Sequence, residues 1–253
     1  VLYSKVDGNF PNHHPDPTDE STLKILVKKM EEAGAELGIA FDGDGDRIGV
    51  VDKQGRAIPG DLLTAFLASS INTNDKENQT IILDIKSSYI AYENIISLGF
   101  KAEIGKTGHS NIKKRLKEIE SPLAGEMSGH IFFGDTYFGY DDALYAAIRL
   151  LTLTANSFEL DKFISTLPKT FVSPEIKVFC CDKIKFLTMD NISKKVFEKY
   201  GSNDVITLDG LRVKNKHGWW LIRASNTEEA LVVRFEGNSE KGKKELFLEI
   251  KNL

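Results

Sequence analysis

Short apolar runs alternate with amphipathic segments over the first two thirds of the chain. Apolar residues three and four positions apart, such as Leu23, Leu26, Val27 and Met30, predict helices, whereas short runs of apolar and β-branched residues predict buried strands. The predicted helices are 18–33, 61–71, 88–98, 110–119, 141–156 and 160–167. The predicted strands are 37–41, 48–51, 80–85, 100–104, 123–126 and 130–133. Because strands that alternate with helices favour parallel sheets, this part is predicted to form mixed α/β layers.

The pattern changes after a break between Pro168 and Pro174. Beyond it, one strand and a long helix precede several consecutive strands. The elements predicted there are strands at 175–179, 205–208, 211–214, 218–224 and 231–236 and helices at 183–200 and 240–252. Consecutive strands of this kind pair antiparallel, so the last third is predicted to be a separate α+β domain with an antiparallel sheet. Of the adjacent Trp219 and Trp220, one is predicted to face the core and the other not.

The composition is that of an ordinary soluble globular protein. Hydrophobic residues make up 41% and charged residues 28% of the 253 positions. The net charge of -4 and the lack of a Lys/Arg-rich arm argue against nucleic-acid binding, and the apolar runs are too short to span a membrane. Because no basic segment followed by an apolar run opens these residues, no secretion signal is expected. The adjacent Cys180 and Cys181 are expected to stay reduced, because neighbouring cysteines form only a strained disulfide, so a cytoplasmic location is expected.

The most informative segment joins the strands predicted at 37–41 and 48–51, and it places a carboxylate at every second position. It reads Asp42-Gly43-Asp44-Gly45-Asp46-Arg47. Glycines let the backbone bend so that alternate side chains converge, and such a set of oxygen ligands suits a hard cation such as Mg2+. Carboxylates this close raise one another's pKa unless a positive group lies among them. Arg47 cannot bind a metal, but it can bind a phosphate beside one.

Three other interpretations of this acidic loop are weaker. A solvated turn rarely carries a carboxylate at every second position between two apolar strands. An EF-hand loop needs Gly at its sixth position and Glu at its twelfth, where this chain has Arg47 and Lys53. A dinucleotide fingerprint needs G-x-G-x-x-G, whereas Gly43, Gly45 and Gly49 are spaced G-x-G-x-x-x-G. The acidic loop is therefore predicted to bind Mg2+.

A second polar loop lies between the strands predicted at 123–126 and 130–133. It reads Gly125-Glu126-Met127-Ser128-Gly129-His130. The Glu126 carboxylate can accept hydrogen bonds from vicinal hydroxyls of a sugar, and Ser128 and His130 add polar contacts. The alternative is an incidental polar turn with a structural histidine.

A third polar loop lies between the strands predicted at 218–224 and 231–236. It reads Arg223-Ala224-Ser225-Asn226-Thr227. A guanidinium, two hydroxyls, an amide and backbone N–H groups can together hold a phosphate. Pairing of the two strands can bring Arg234 alongside Arg223. The alternative is an ordinary polar hairpin.

Two further cationic candidates, Lys86 and His109, follow predicted strands. Ligands of parallel α/β sheets gather at the C-terminal ends of strands, where Glu126 also falls. Ser110 is expected to cap the helix that follows, whose N-terminus favours anions. Each position taken alone is as easily explained without a ligand, but together they predict a cationic wall beside the second loop.

In this order, these loops resemble those of the α-D-phosphohexomutase family, of the bacterial phosphomannomutase/phosphoglucomutase type. The resemblance covers essentially the whole chain and includes the segment Asp7-Gly8-Asn9-Phe10-Pro11-Asn12-His13-His14-Pro15. Members have four domains around a central cleft and interconvert hexose 6-phosphates and hexose 1-phosphates through a phosphoserine and a bisphosphate intermediate. The resemblance implies that residues 1–56 are the C-terminal part of domain 2, residues 57–168 are domain 3 and residues 169–253 are domain 4.

The resemblance also implies a role for each candidate residue. Mg2+ would be held, together with the phosphoserine, by Asp42, Asp44 and Asp46, and Arg47 would support that serine. The hydroxyls of the hexose phosphate would be bound by Glu126 and Ser128. The reacting end would be lined by Lys86, His109 and His130, and His130 would take part in proton transfer. The phosphate distal to the reaction would be held by Arg223, Ser225, Asn226, Thr227 and Arg234.

One departure from the family pattern concerns the phosphoserine. That serine lies in a Ser-His-Asn loop of the family's first domain, and these 253 residues contain no Ser-His-Asn. We therefore expect that the polypeptide alone is not a competent mutase and needs a missing N-terminal domain. The alternative is a non-catalytic module that binds phosphosugars. Amino-sugar mutases are disfavoured, because their corresponding loop carries Asn where this chain has Met127.

Overall fold

Residues 1–156, 159–202, 204–225 and 228–253 are described by the computed structural model. They form two units, which are Val1–Leu167 (unit 1) and Pro168–Leu253 (unit 2). Among the described residues, no helix combines the length and the apolar character that crossing a membrane requires.

Unit 1 begins with a helix packed on a small antiparallel sheet. Asp19 caps helix α1 (Glu20–Ala33) by accepting a hydrogen bond from a backbone N–H of its first turn. The strands, which pair in chain order, are β1 (Gly38–Phe41), β2 (Ile48–Val51) and β3 (Ala57–Ile58). Leu23 and Met30 of the helix are buried against Val51 of the sheet. The turn between β1 and β2 is the acidic loop, so the packing of α1 fixes both of its ends.

The rest of unit 1 is a sheet with helices on both faces. Its strands, in the order β5-β4-β6-β7, are β4 (Thr80–Asp84), β5 (Lys101–Gly105), β6 (Leu123–Gly125) and β7 (Ile131–Phe133). Its helices are α2 (Gly60–Leu67), α3 (Tyr89–Ser97), α4 (His109–Glu118), α5 (Ala143–Ala155) and α6 (Leu160–Thr166). Strand β4 runs parallel to β5 and β6, and β7 is antiparallel to β6. The prediction of mixed α/β layers is confirmed.

The alternation of side chains along β4 explains why this sheet is covered on both faces. Ile81 and Leu83 belong to the larger core, which includes residues of α2, α3 and α5. Ile82 points to the other face, where it packs with Ile112 and Leu116 of α4. The C-terminal ends of β4, β5 and β6 therefore lie at one edge of the sheet, and the loops that follow them are brought together.

Unit 2 is an antiparallel sheet packed against two helices. The strands are β8 (Phe171–Val172), β9 (Ile176–Phe179), β10 (Val205–Ile206), β11 (Leu211–Asn215), β12 (Gly218–Ala224) and β13 (Ala230–Gly237). The helices are α7 (Asp182–Tyr200) and α8 (Glu240–Lys251). Strands β10 to β13 pair in chain order, and both β8 and β9 pair with β13. The predicted α+β domain with an antiparallel sheet is confirmed.

The two tryptophans point to opposite faces of β12, but both are buried. Trp220 lies in the core with Val196 of α7 and Leu246 of α8. Trp219, on the other face, is 2% exposed. Its ring lies 3.9 Å from the Arg212 guanidinium, and its Nε1–H donates to Glu236 at 2.8 Å. Trp220 faces the core and Trp219 does not, as predicted, but Trp219 is buried as well, because polar neighbours on the second face enclose it.

Differences between predicted and observed elements have local causes. Strands β3 and β8 were not predicted, because two residues are too few to show a periodic pattern. The helix predicted at 61–71 ends at Leu67 and continues as a 3-10 turn at Ala68–Ser70. The cap predicted at Ser110 is wrong, because α4 already begins at His109, after Gly108, and no side chain caps it.

Candidate active site

The acidic loop is folded around one of its own carboxylates. The Oδ1 atom of Asp42 accepts hydrogen bonds from the backbone N–H groups of Gly45, Asp46 and Arg47 at 3.0, 3.1 and 3.1 Å. The Oδ2 atom accepts one from Arg47 Nε at 2.8 Å. Gly45 has a φ of 77°, in the left-handed region that favours glycine. Asp42 therefore shapes the loop, besides any part it takes in binding a cation.

The three carboxylates of this loop converge. One oxygen from each of Asp42, Asp44 and Asp46 lies within 4.8 Å of the others. Burial raises the pKa of Asp42, but hydrogen bonds from Arg47 outweigh it and leave the pKa below the usual range. Burial and the neighbouring Asp42 raise the pKa of Asp46, against the opposing effect of His130. Because the donors are carboxylate oxygens, the set fits a hard divalent cation such as Mg2+.

The acidic loop is joined by backbone contacts to the loop at 125–130. Arg47 and His130 form an antiparallel bridge, and the Ile48 N–H donates to the Gly129 carbonyl at 3.1 Å. Gly129 has a φ of 91°, and a Cβ there would lie 2.4 Å from the Ile48 carbonyl oxygen, so only glycine fits. Two segments that are far apart in sequence therefore form one site within unit 1.

His130 is held by its own loop and faces the carboxylates. Its Nδ1 lies 3.0 Å from Glu126 Oε2 and 2.9 Å from Ser128 Oγ. Its Nε2 lies 3.6 Å from Asp46 Oδ1. Burial lowers the pKa of His130, but the hydrogen bond and charge of Glu126, with the charge of Asp46, outweigh it and raise the pKa. These partners therefore favour the charged form of the imidazole more than water does.

Glu126 has a structural part that the sequence did not indicate. Its side chain is 2% exposed. The Oε1 atom accepts a hydrogen bond from the Gly108 N–H at 2.6 Å, while Oε2 faces His130. The carboxylate thus ties the loop after β5 to the loop after β6. A carboxylate can accept further hydrogen bonds, so its predicted contact with a sugar hydroxyl stays a prediction.

His109 is positioned by an aspartate that sequence reasoning missed. Its Nδ1 lies 2.9 Å from Asp141 Oδ2, and Lys113 Nζ lies 2.9 Å from Asp141 Oδ1. The rings of His109 and His130 are 5.7 Å apart. A signal was available, because Asp142 caps α5 and leaves the preceding carboxylate of the Asp-Asp pair for another use. Asp141, His130 and Asp46 also place possible metal-binding atoms within 4.8 Å of one another, but Lys113 and His109 already occupy Asp141.

A second missed aspartate, Asp84, connects the loops at the edge of the sheet. It is fully buried at the end of β4 and accepts hydrogen bonds from Ser87 Oγ at 2.6 Å, Thr107 Oγ1 at 3.2 Å and the Met127 N–H at 3.2 Å. The loops after β4, β5 and β6 therefore share one carboxylate. Lys86, a predicted site residue, is partly buried and lies in the first of these loops.

The third polar loop belongs to unit 2. Arg223 is paired with Asp209, with Nε 3.1 Å from Oδ2 and Nη2 3.4 Å from Oδ1. Arg234 lies on the same face, directly across from Leu221 and diagonal to Arg223, as the predicted strand pairing requires. Arg234 is 8% exposed, and its Nε has no hydrogen-bond partner among the residues that the structure describes.

Of the remaining residues predicted in this loop, only Ser225 is described. Its N–H donates to the Ala230 carbonyl at 2.9 Å, and its Oγ accepts from the Glu228 N–H at 3.1 Å. Asn226 and Thr227 lie outside the described residues. Of the predicted phosphate site, the structure therefore describes the two arginines and Ser225.

Changing Glu126 to Gln is expected to lower the pKa of His130, because its main charge partner is lost. Since the folded-state pKa lies above the unfolded value of about 6.5, the associated stabilisation is fully present below pH 6.5 and is lost as the pH rises through the folded-state pKa. The pKa can be measured by NMR titration of the ring protons in the presence of EDTA. Ser128→Ala removes a neutral partner of the same nitrogen and should shift the pKa less. An equal shift in both variants would contradict the charge argument.

Changing Asp84 to Ala is expected to destabilise unit 1 by about 3 kcal/mol, since a buried donor left unpaired costs roughly 1–3 kcal/mol. Both tryptophans of the chain lie in unit 2, so their fluorescence follows that unit, whereas far-UV circular dichroism follows both. Denaturation with guanidinium should show an earlier loss of helical signal than in the wild type. Asp75→Ala, which changes an exposed aspartate with one local hydrogen bond, is the control. Equal effects of both changes would show that Asp84 does not connect the loops.

Fold and loops together define an α/β protein with a carboxylate site in unit 1 and, in unit 2, a polar loop beside Arg223 and Arg234. Models of the three phosphoglucomutase/phosphomannomutase domains match the chain in order, with α/β/α domain II at residues 2–55, α/β/α domain III at 59–171 and the C-terminal domain at 175–253. The chain therefore belongs to the phosphoglucomutase/phosphomannomutase family, the α-D-phosphohexomutases.

Individual relatives agree with this assignment. The chain is 43% identical over 241 residues to a phosphomannomutase/phosphoglucomutase of Pseudomonas aeruginosa, which covers 94% of this chain and 51% of that protein. It is 36% identical over 249 residues to a phosphomannomutase of Methanocaldococcus jannaschii, covering 98% and 54%. A crystal structure of a family protein from Burkholderia thailandensis superposes with a TM-score of 0.89 at 36% identity, covering 99% and 53%. The chain thus spans about half the length of these relatives.

Proposed function

We propose that these residues carry the metal-, sugar- and phosphate-binding parts of a phosphomannomutase/phosphoglucomutase. Such an enzyme interconverts the 6- and 1-phosphates of mannose or glucose through a bisphosphate intermediate. The observation that carries the proposal is the Arg47–His130 bridge, because it sets the carboxylates of the acidic loop beside a protonatable imidazole. The names of the relatives fit this function, and we propose a location in the cytoplasm with it.

The acidic loop would hold Mg2+ through Asp42, Asp44 and Asp46. The bound cation supplies neutralisation of the charge that develops on a transferring phosphoryl group. Arg47 contacts Asp42 and also Asp16, from Nη1 to Oδ1 at 3.2 Å, so its guanidinium is held at the side of the loop. From there it would contact the phosphoserine.

His130 would hold and transfer the proton of the reacting sugar hydroxyl. Its Nδ1 is fixed against Glu126 and Ser128, which leaves Nε2 as the atom that faces the reacting groups. Glu126 and Asp46 raise the pKa of His130, so the imidazolium would donate a proton to a leaving oxygen and the imidazole would take it back in the reverse direction. Lys86 would add positive charge at the reacting end, and His109 would line it.

The loop of unit 2 would bind the phosphate that does not react. The groups proposed for this contact are Arg223, Ser225, Asn226, Thr227 and Arg234. Two guanidinium groups on one face of a hairpin suit a phosphate dianion. Its binding energy would be used to position the sugar, which is most of what phosphoryl transfer requires of a protein.

The acceptor serine is proposed to come from sequence outside these 253 residues, which contain no Ser-His-Asn. We therefore expect no turnover of glucose 1-phosphate or mannose 1-phosphate by the chain alone, with Mg2+ and glucose 1,6-bisphosphate present. Joining the chain to the N-terminal half of the Pseudomonas aeruginosa relative should restore turnover in a coupled assay. The same fusion with His130→Ala is the matched control.

Each outcome of this assay has a clear meaning. Turnover by the fusion and not by its His130→Ala variant supports the proposal. Turnover by the chain alone would mean that another residue carries the phosphoryl group. Binding of hexose phosphate without turnover by any fusion would favour a non-catalytic phosphosugar-binding module.

A further inference from the structure

A buried lysine of unit 2 holds both ends of the segment proposed to bind phosphate. Lys185, in the first turn of α7, is 4% exposed. Its Nζ donates to the carbonyl oxygens of Ser225 at 2.8 Å and Glu228 at 3.1 Å, and to Asp182 Oδ1 at 2.6 Å. An ammonium group has three protons to donate, so these three partners use all of them.

This arrangement is unusual for a lysine at a helix start. Burying a charge is unfavourable unless it is paired and hydrogen-bonded, and an apolar residue could fill the same space at lower cost. The one charged partner, Asp182, is itself 67% exposed in its side chain. The other two partners are backbone carbonyls on either side of the segment 226–227. The Lys185 ammonium therefore holds the backbone at Ser225 close to the backbone at Glu228, because one nitrogen donates to both carbonyls.

Other contacts close the loop at the same place. The Ser225 N–H donates to the Ala230 carbonyl, and the Glu228 N–H donates to Ser225 Oγ. These bonds extend the pairing of β12 with β13 beyond Ala224 and Leu231. Lys185 ties this turn to α7, and the Asp182 N–H of the same helix adds a hydrogen bond to Glu229 Oε1 at 3.3 Å.

We propose that Lys185 is a positioning residue for phosphate binding: it fixes Ser225 and Glu228, the described ends of the loop, so that the proposed phosphate contact at Ser225 is in place before the phosphate arrives. The proposal rests on the proposed function, since it takes the ligand of this loop to be the phosphate of a hexose phosphate. Lys185 does not contact the ligand. It acts through the carbonyl groups of Ser225 and Glu228, and its effect on affinity comes from preorganisation.

The test compares two lysines that both contact Glu228. Lys185→Met removes the buried contacts to the carbonyls. The matched control, Lys177→Met, removes an exposed lysine whose Nζ lies 2.7 Å from Oε1 of the Glu228 side chain. Amide hydrogen exchange of Ser225 and Glu228, read by NMR, reports on the loop without any ligand. Titration with glucose 1-phosphate reports on binding by the same samples.

Lys185→Met is expected to speed exchange of these two amides about tenfold and to weaken glucose 1-phosphate binding about tenfold, as loss of charge-assisted hydrogen bonds would. Lys177→Met should change each less than about twofold, as exposed ion pairs do. Unchanged exchange in Lys185→Met overturns the proposal. Faster exchange with unchanged affinity also overturns it, because Lys185 would then be structural only. Equal changes in exchange and affinity in the two variants also overturn it, because loss of any nearby positive charge would then explain them.

Two results separate this proposal from the proposed function. If the wild-type chain binds no glucose 1-phosphate, the phosphate assignment of the loop fails, whereas the exchange data still show whether Lys185 holds the loop. If Lys185→Met does not fold, Asp182→Asn takes its place, since it removes the charge partner and leaves the lysine present. Exchange at Ser225 and Glu228 should then rise in the same direction by a smaller factor, and unchanged exchange overturns the proposal.

Discussion

Replacing Asp44 with Asn is expected to weaken Mg2+ binding at least roughly 10–100-fold, the loss that follows even from changing outer partners of a metal site. Asp44 is exposed, and its side chain makes no hydrogen bond within the described ranges of the chain. Its charge raises the pKa of Asp46, so removing it relieves repulsion when no metal is bound. We therefore expect an unchanged or slightly higher melting temperature in EDTA, and a loss of affinity in a calorimetric Mg2+ titration of the fusion that supplies the serine.

Asp42→Asn is the informative comparison for this prediction. Asp42 is bonded to Arg47 and to three backbone N–H groups, so its replacement should reduce both Mg2+ affinity and stability. If the Asp44→Asn fusion binds Mg2+ as tightly as the wild-type fusion, the acidic loop is not the Mg2+ site. It would then have another role, such as positioning His130.

Replacing Arg223 with Ala is expected to weaken glucose 1-phosphate binding about 10- to 150-fold, because a charge-assisted hydrogen bond contributes roughly 1.5–3 kcal/mol. Stability should fall as well, since Asp209 loses its partner while its side chain is only 10% exposed. The two effects can be separated in the double variant Arg223→Ala/Asp209→Asn, where no unpaired carboxylate remains. Calorimetry gives the affinity, and tryptophan fluorescence during denaturation gives the stability of unit 2.

The double variant decides between binding and structure. If Arg223 binds phosphate, Asp209→Asn should restore much of the lost stability and none of the lost affinity. If affinity and stability return together, Arg223 acts only through its pairing with Asp209, and the third loop loses its main phosphate-binding group.

Much of the fold follows from patterns that are local in sequence. Strand β12 begins and ends at the predicted residues, because its apolar residues lie between clear turn signals. The alternation of Ile81, Ile82 and Leu83 anticipates a sheet buried on both faces. The Ser110 prediction failed for an equally local reason: Gly108, with a φ of 112°, lets the chain enter the helix without a side-chain cap.

Residues that support the candidate site could not be predicted in the same way. Asp84 meets Thr107 and Met127, and Lys185 meets Ser225, only after distant segments have folded together. A periodic pattern identifies neighbours along one helix or strand and says nothing about such contacts. The candidate binding residues were predictable because they are consecutive in three loops, whereas the residues that hold those loops are scattered.

The bridge between Arg47 and His130 also bears on how such a protein can be recombined. The family models for domains II and III meet between residues 55 and 59. A chimera of two relatives that is joined at this boundary takes the acidic loop from one parent and the loop at 125–130 from the other. In such a chimera the backbone bridge between Arg47 and His130 would have to form between segments of different parents. A cut near Pro168 instead keeps both loops, and the contact between them, from the same parent.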